Sequence, residues 1–153
     1  MFLALVIGAV VMLCGLLASC AAATLVVRVV VRLIPKGSGD LGFCRSVGVL
    51  LLVTLITTAL HLLVIALWAV AYLLCREVRG FEDAFYLSAE NYTALGYGDV
   101  LLSPRWRLLG PLEAINGLLL FGVSTAVVFA VLSRLIRKRL RRLDHEARQD
   151  AEE

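Results

Sequence analysis

Three long apolar runs constrain this chain more than any other feature of its sequence. Residues 1–27 and 46–75 contain no Asp, Glu, Lys or Arg, and residues 108–132 contain only Glu113, near one end. Each run reaches the roughly 20 residues that a helix needs to cross about 30 Å of hydrocarbon. With 61% hydrophobic residues, the chain cannot cover its apolar surface with its own polar groups. We therefore predict an all-α membrane protein with three transmembrane helices, and no enzyme, because the connections leave no room for a catalytic domain.

Positive charge is concentrated in two segments that flank these runs. The first connection and the segment after the third run carry ten basic residues: Arg28, Arg32, Lys36, Arg45, Arg134, Arg137, Lys138, Arg139, Arg141 and Arg142. Lys and Arg gather on the cytoplasmic side of membrane proteins. We therefore expect both segments to be cytoplasmic, and the N-terminus and residues 76–107 to lie outside.

A short segment between the second and third runs has a different character. Residues 81–93 are too few and too polar to span a membrane, but they are aromatic enough to enter it partway. Glu82 and Asp83 suit the start of a helix, where the dipole favours acids. The C-terminal end of the same helix, which is partly negative, would then favour a cation. We predict a re-entrant helix that points at a cation path.

The residues that follow this helix are Ala-Leu-Gly-Tyr-Gly-Asp, at 94–99. Gly96 and Gly98 can adopt backbone conformations that are closed to residues with a Cβ. With glycine at alternate positions, successive carbonyls can point the same way, and rings of carbonyls can replace the water shell of a cation. Leu95 and Tyr97 would then point away from the ion path and wedge the strand against the short helix.

The order of span, short helix, Thr-x-x-Gly-Tyr-Gly-Asp and span over residues 46–138 resembles the pore module of potassium channels. The resemblance implies a homotetramer of identical subunits with the selectivity filter Thr93, Ala94, Leu95, Gly96, Tyr97, Gly98 and Asp99. It also implies potassium as the permeant ligand, on the backbone carbonyls of Leu95, Gly96 and Tyr97. No other cofactor and no nucleic-acid partner is expected. The cell membrane, as the bacterial inner membrane, is the expected location.

The resemblance also divides the chain into segments. Residues 1–33 form an additional N-terminal helix, and residues 34–45 form a cytoplasmic loop. The pore module follows at 46–137, and residues 138–153 form a cytoplasmic tail. Within the module we expect an outer helix, a pore helix, the filter and an inner helix, at 46–75, 81–93, 94–99 and 108–137.

Two carboxylates are expected to support the filter. Glu90 falls where the simplest bacterial two-helix potassium channels have a pore-helix glutamate, and Asp99 falls on their aspartate after the filter. In that group the two carboxyls sit together and one holds a proton, as two like charges brought close must do. We predict that Glu90 and Asp99 share a proton and steady the outer end of the filter. The alternative is a pair of solvated carboxylates at the pore mouth.

The filter departs from the family pattern at two positions. Ala94 stands where the family usually has a second threonine, so four subunits would lose four hydroxyl ligands at the innermost ion site. Leu95 stands where the family favours valine, a smaller apolar wedge. The innermost site should therefore be weakened. A weakly selective cation channel and a non-conducting, pore-like membrane partner are the two alternative functions.

The third span resembles the inner, pore-lining helix of the family. Gly117 and Gly122 are candidates for its hinge, or for close helix packing. Asn116 is expected to face the water-filled cavity below the filter. Glu113 needs a partner inside the membrane, and we expect Arg105 or Arg107 to supply it.

Two further features leave alternatives open. Thr54, Thr57, Thr58 and His61 share one helix face. This stripe predicts hydrogen bonds to the first or third span, and a proton-sensing role for His61 is the alternative. The basic stretch Arg134–Arg142 keeps apolar residues at helical spacing. It can extend the inner helix into a bundle around the four-fold axis, or lie along anionic lipid.

Overall fold

The computed structural model describes residues 2–33 and 42–149. It contains four helices in these residues: α1 (Phe2–Leu33), α2 (Phe43–Leu74), α3 (Phe81–Tyr92) and α4 (Leu109–Gln149). Three of them, α1, α2 and α4, are long and apolar enough to cross a membrane. The prediction of an all-α, multi-pass membrane protein is therefore confirmed. The predicted loop at 34–45 lies, up to residue 41, outside the described residues, as do residues 150–153 of the tail.

The relative directions of the three long helices follow from two core clusters. One cluster joins Ala4 at the start of α1 to Trp68 near the end of α2 and to Leu109 at the start of α4. The other joins Val26 near the end of α1 to the first part of α2 and to Val131 in the second half of α4. Helices α1 and α4 therefore run parallel, and α2 runs antiparallel to both. This arrangement places both basic segments on the same side of the membrane.

Helix α3 returns into the end of the molecule that holds the first cluster. Its buried residues Leu87 and Tyr92 pack with Trp68 and Tyr72 of α2 and with Leu120 of α4. The short helix is thus held between the outer and the inner helix. Its buried face is mostly apolar but also carries Ser88 and Glu90, while Glu82 and Asp83 remain in its exposed first turn.

The helix bounds differ from the sequence prediction chiefly at the ends. Helix α2 begins three residues before the predicted residue 46, and α4 continues past residue 137 to Gln149. Residues 138–149 contain no Pro or Gly that would end the helix, so the predicted tail is helical over its described part. Leu135 still packs against α1 and α2, whereas Ile136 and Leu140 are exposed.

Candidate ion-conducting site

Helix α3, the predicted pore helix, ends in a backbone motif that sets the direction of the predicted filter. Thr93 is its C-cap; the amide of Ala94 donates to Asn91 O at 3.0 Å, and the amide of Leu95 donates to Glu90 O at 2.9 Å. These two bonds, with a left-handed residue between cap and strand, form a Schellman motif. The motif usually has glycine at the position that Ala94 occupies. The last carbonyls of the helix are thus satisfied at the point where the filter begins.

Every second residue of the filter has left-handed backbone. The φ angles are +56° at Ala94, +60° at Gly96 and +77° at Gly98, and neither Leu95 nor Tyr97 has positive φ. The sequence predicts this conformation at both glycines, and the structure has it there. The left-handed conformation of Ala94 was not predicted, because the Cβ of an alanine makes this conformation unfavourable. The alternation is the backbone pattern that a row of carbonyls with a common direction requires.

The filter strand is exposed along its whole length in the single chain. All residues from Thr93 to Asp99 are exposed, with Leu95 at 55% and Tyr97 at 71%. The single chain thus leaves both side chains uncovered, and the expectation that they wedge the strand against the short helix stays a prediction.

Glu90 contacts the filter backbone directly. It is buried in the last turn of α3, and its Oε1 accepts a hydrogen bond of 3.0 Å from the backbone amide of Tyr97. Through this bond, a side chain of the pore helix holds the middle of the filter strand. The sequence predicted a supporting role for Glu90 but not this partner, because a backbone amide seven residues away leaves no mark in the side-chain pattern.

Asp99 is held by a different residue of the pore helix. Its Oδ2 accepts a hydrogen bond of 3.0 Å from the Tyr86 hydroxyl, and its Oδ1 accepts one from the amide of Val100. The bond to Asp99 raises the pKa of Tyr86, because an ionised phenol would have no proton to donate to the carboxylate. In the part of the chain that the structure describes, Glu90 and Asp99 thus have separate donors. Their shared proton stays a prediction.

The loop beyond the filter is fastened to the end of the outer helix. The Glu77 carboxylate accepts from the backbone amide of Ser103 at 2.6 Å and from its hydroxyl at 2.9 Å. Arg76, one residue earlier, has a φ of +58°. Arg105 lies over the ring of Trp106, with 5.3 Å between the guanidinium carbon and the ring centroid. The two Glu77–Ser103 bonds thus tie the loop after the filter to the residues that follow the outer helix.

The two candidate hinge glycines of α4 have different surroundings. A methyl group on Gly117 would lie 1.9 Å from the carbonyl oxygen of Tyr92, at the end of the pore helix. At Gly122 a methyl group would meet no atom within 4 Å. Gly117 therefore allows α4 to approach the pore helix closely, which is one of its two predicted roles. Gly122 has the free space that a bend would need.

Asn116 does not face the ion path, so the cavity prediction for this residue is wrong. Its side chain is fully buried, next to Gly15 of α1, where a methyl group would lie 3.1 Å from Asn116 Nδ2. Neither its Nδ2 nor its Oδ1 has a hydrogen-bond partner among the described residues. The apolar pattern of α4 could not show this, because helix α1 adds a second packed face to what would otherwise be a pore-lining helix.

Glu113 is bonded to two hydroxyls and not to the predicted Arg105 or Arg107. It is fully buried, near the start of α4. The Tyr72 hydroxyl contacts its Oε2, and Ser88 Oγ lies 2.5 Å from its Oε1. Both partners belong to the other two helices of the pore module. Sequence reasoning missed them because neutral hydroxyls carry no charge pattern to match.

His61 also has a partner in the pore helix. Its Nδ1 lies 2.7 Å from the Tyr92 hydroxyl, and its ring lies against Phe121 of α4. Thr54 and Thr57 donate to carbonyls of their own helix. The predicted polar stripe therefore does not bond to the first or third span, and His61 is the member that makes an interhelical hydrogen bond.

The basic stretch after the third span is the last of the predicted features. The described side chains of Arg134, Arg137, Arg139 and Arg141 are exposed on the far end of α4. They alternate with exposed Ile136 and Leu140. A four-fold bundle and an anionic lipid surface both remain compatible with this helix.

Comparisons with known proteins agree with this geometry. Residues 50–134 match the family described as "Ion channel", which is more than half of the chain. The chain is also similar to the inward rectifier potassium channel Kirbac3.1 of Paramagnetospirillum magnetotacticum, with 36% identity over 89 residues. That match covers 54% of this chain and 30% of the relative, so the chain spans less than a third of the relative's length. No solved structure gives a significant match. The chain therefore belongs to the ion channel family of potassium-channel pore domains.

Proposed function

We propose that the chain is one subunit of a homotetrameric potassium channel, which conducts potassium passively through a filter of backbone carbonyls. The observation that carries the proposal is the alternating left-handed backbone at Ala94, Gly96 and Gly98. Such alternation supplies rows of carbonyl oxygens in place of the ion's water shell. The carbonyls of Leu95, Gly96 and Tyr97 would hold the ions.

A ring of four subunits is part of the proposal. One filter strand cannot surround an ion, and the strand from Thr93 to Asp99 is exposed in the single chain. The large side chains of Leu95 and Tyr97 are exposed in the single chain. Neighbouring subunits would cover these side chains and bring the strands together around an axis. The similarity to a named potassium channel supports the same arrangement.

The orientation follows from the charges. Arg28, Arg32, Arg45 and the stretch Arg134–Arg142 lie on one side of the membrane, which the preference of basic residues makes the cytoplasmic side. The filter and the N-terminus then face outward in the cell membrane. The exposed arginines of α4 would contact anionic lipid headgroups.

A weakly selective cation channel is the second candidate, and Ala94 is the observation that favours it. Its methyl side chain gives no hydroxyl ligand to the innermost ion site, so only carbonyl rings would remain there. The backbone of Ala94 already has the left-handed conformation that the filter needs. The departure therefore removes a ligand without changing the direction of the carbonyls.

Reversal potentials in mixed potassium and sodium separate the two candidates. For the purified protein in planar bilayers, a potassium channel gives a potential that follows the potassium gradient. A potential near zero under opposed potassium and sodium gradients would instead establish the weakly selective channel. Ala94→Thr adds one hydroxyl per subunit, so its potential should move further toward the potassium value. Ala94→Ser is the matched variant with a hydroxyl but no added methyl group.

A further inference from the structure

A buried carboxyl group connects the three helices of the pore module behind the filter. Glu113 of α4 is fully buried, and its two oxygens contact Tyr72 of α2 and Ser88 of α3. Two more polar groups continue from these contacts. Asn91 Nδ2 donates to the Tyr72 hydroxyl at 3.2 Å, and Ser88 Oγ lies 2.8 Å from the carbonyl oxygen of Ile65. The five groups form one continuous hydrogen-bond chain.

The number of available protons decides which group donates and which accepts in each bond of this hydrogen-bond chain. Ser88 has one hydroxyl proton, yet its Oγ lies within hydrogen-bond distance of both Ile65 O and Glu113 Oε1. A carbonyl oxygen and an ionised carboxylate can only accept. If Glu113 were ionised, one of these short contacts would bring two oxygens together with no proton between them. If Glu113 carries a proton on Oε1, both contacts are hydrogen bonds.

We propose that Glu113 is a protonated, positioning residue whose hydrogen bonds fasten the pore helix to the outer and inner helices. The donors then run in one direction: Asn91 to Tyr72, Tyr72 to Glu113 Oε2, Glu113 Oε1 to Ser88, and Ser88 to the carbonyl of Ile65. Each of these protons is used once. Breaking the hydrogen-bond chain at Glu113 leaves the Tyr72 hydroxyl without an acceptor, and a buried donor without a partner lowers the stability of the fold.

The surroundings of Glu113 favour the neutral form. The titratable groups that face it are Tyr72 from α2, with Cys75 beyond it, and Tyr92 from α3. From α1, Gly8 packs against the neighbouring Leu112 and brings no charge. No cation among the described residues forms an ion pair with Glu113. An unpaired carboxylate at a fully buried position in a membrane would be expensive.

The consequence for conduction rests on the proposed function. Ser88 and Asn91 lie in the same helix as Glu90, which holds the filter backbone. Ionising Glu113 at alkaline pH removes the proton that bonds Ser88, so the pore helix loses one of its fastenings. Channel activity and thermal stability should therefore both decrease as the pH rises, and Glu113→Gln should remove this dependence. The amide of glutamine can donate to Ser88 and accept from Tyr72 at every pH.

Infrared spectroscopy of the purified protein in lipid tests the protonation state without any need for ion flux. At neutral pH we expect the carbonyl band of a protonated carboxyl group, shifted by exchange into heavy water, and lost in Glu113→Gln. Glu82→Gln, at an exposed acid of α3, is the matched control and should leave the band unchanged. Glu90→Gln distinguishes the Glu113 proton from the one predicted to be shared by Glu90 and Asp99.

Thermal unfolding from pH 6 to pH 10 is the second measurement. Glu113→Gln should stay near the wild-type midpoint at neutral pH, whereas Glu113→Ala should lower it by about 5 °C. Wild type should lose stability as the pH rises, and Glu113→Gln should not. If Glu113→Gln does not fold, Ser88→Ala is the second variant. It removes the hydroxyl that accepts from Glu113, so its Glu113 carbonyl band should lie at a higher frequency than that of the wild type.

Absence of a Glu113 band at neutral pH would overturn the proposal, whether or not the protein conducts. A pH dependence of stability that is equal in wild type and Glu113→Gln would overturn it as well. A Glu113 band in a protein that carries no potassium flux would support the hydrogen-bond chain and contradict the proposed function instead. The two claims therefore fail on different measurements.

Discussion

At the scale of single residues, the backbone of Ala94 shows how the pore helix and the filter are joined. A residue with a Cβ in the left-handed region costs about 1–2 kcal/mol, and such a conformation persists only where its surroundings fix it. Here the amides of Ala94 and Leu95 bond to the last turn of the helix. The helix cap thus sets the direction in which the filter begins, and the conformational freedom of the two glycines matters only further along the strand.

Glu90 gives the first prediction at this scale. Glu90→Ala removes the acceptor of the Tyr97 amide, so the filter strand loses a support while α3 keeps its packing. We expect shorter open states in single-channel recordings, with an unchanged oligomeric state. Glu82→Ala, at an exposed position of the same helix, is the control and should behave as wild type. Equal open-state lifetimes in all three proteins would remove Glu90 from the filter support.

Asn116 gives the second prediction. Asn116→Leu replaces a buried amide that has no partner among the described residues with an apolar side chain of similar size. We expect the thermal stability to rise by the equivalent of about 1 kcal/mol or more, with single-channel conductance unchanged, because the side chain faces α1. A clear change of conductance would instead place Asn116 on the ion path.

At the scale of helices, the sequence predicts what depends on long apolar runs and misses what depends on which face is packed. The spans and the re-entrant helix are found within a few residues, since lipid demands a continuous apolar run. The neighbours of Asn116 and Glu113 are not found, because a helix that is apolar all round gives no preferred face. The conformation of Ala94 is missed for another reason, because it depends on the backbone geometry of the helix cap.

The contact between α3 and α4 gives the third prediction. Gly117→Ala would place a methyl group 1.9 Å from Tyr92 O, so α4 or the end of the pore helix must move. We expect a loss of about 1–3 kcal/mol in stability, measured by thermal unfolding, and reduced conduction. Gly122→Ala meets no atom within 4 Å and should keep wild-type stability. A stable, fully active Gly117→Ala variant would contradict the close approach of the two helices.

At the scale of the whole molecule, the single chain leaves the predicted filter without a cover. Helices α2 and α4 hold the pore helix between them, α1 packs against both of these helices, and the strand that follows the pore helix has no cover in the single chain. Native mass spectrometry of the purified protein should therefore find four copies of the chain. Tyr97→Ala, which removes a large and exposed side chain of the filter, should weaken this assembly. A monomer at all protein concentrations would contradict the four-fold pore.

Potassium flux from liposomes that contain the purified protein tests the central claim most directly. Gly96 has a φ of +60°, a conformation that alanine adopts only at a cost unless a helix cap fixes it, as at Ala94, so Gly96→Ala should turn its carbonyl away from the ion path. Gly48→Ala changes an open position of α2 in the same chemical way and serves as the control. We predict potassium flux in wild type and Gly48→Ala and its loss in Gly96→Ala. Equal flux in all three proteins, or flux in none, would contradict the filter at residues 93–99.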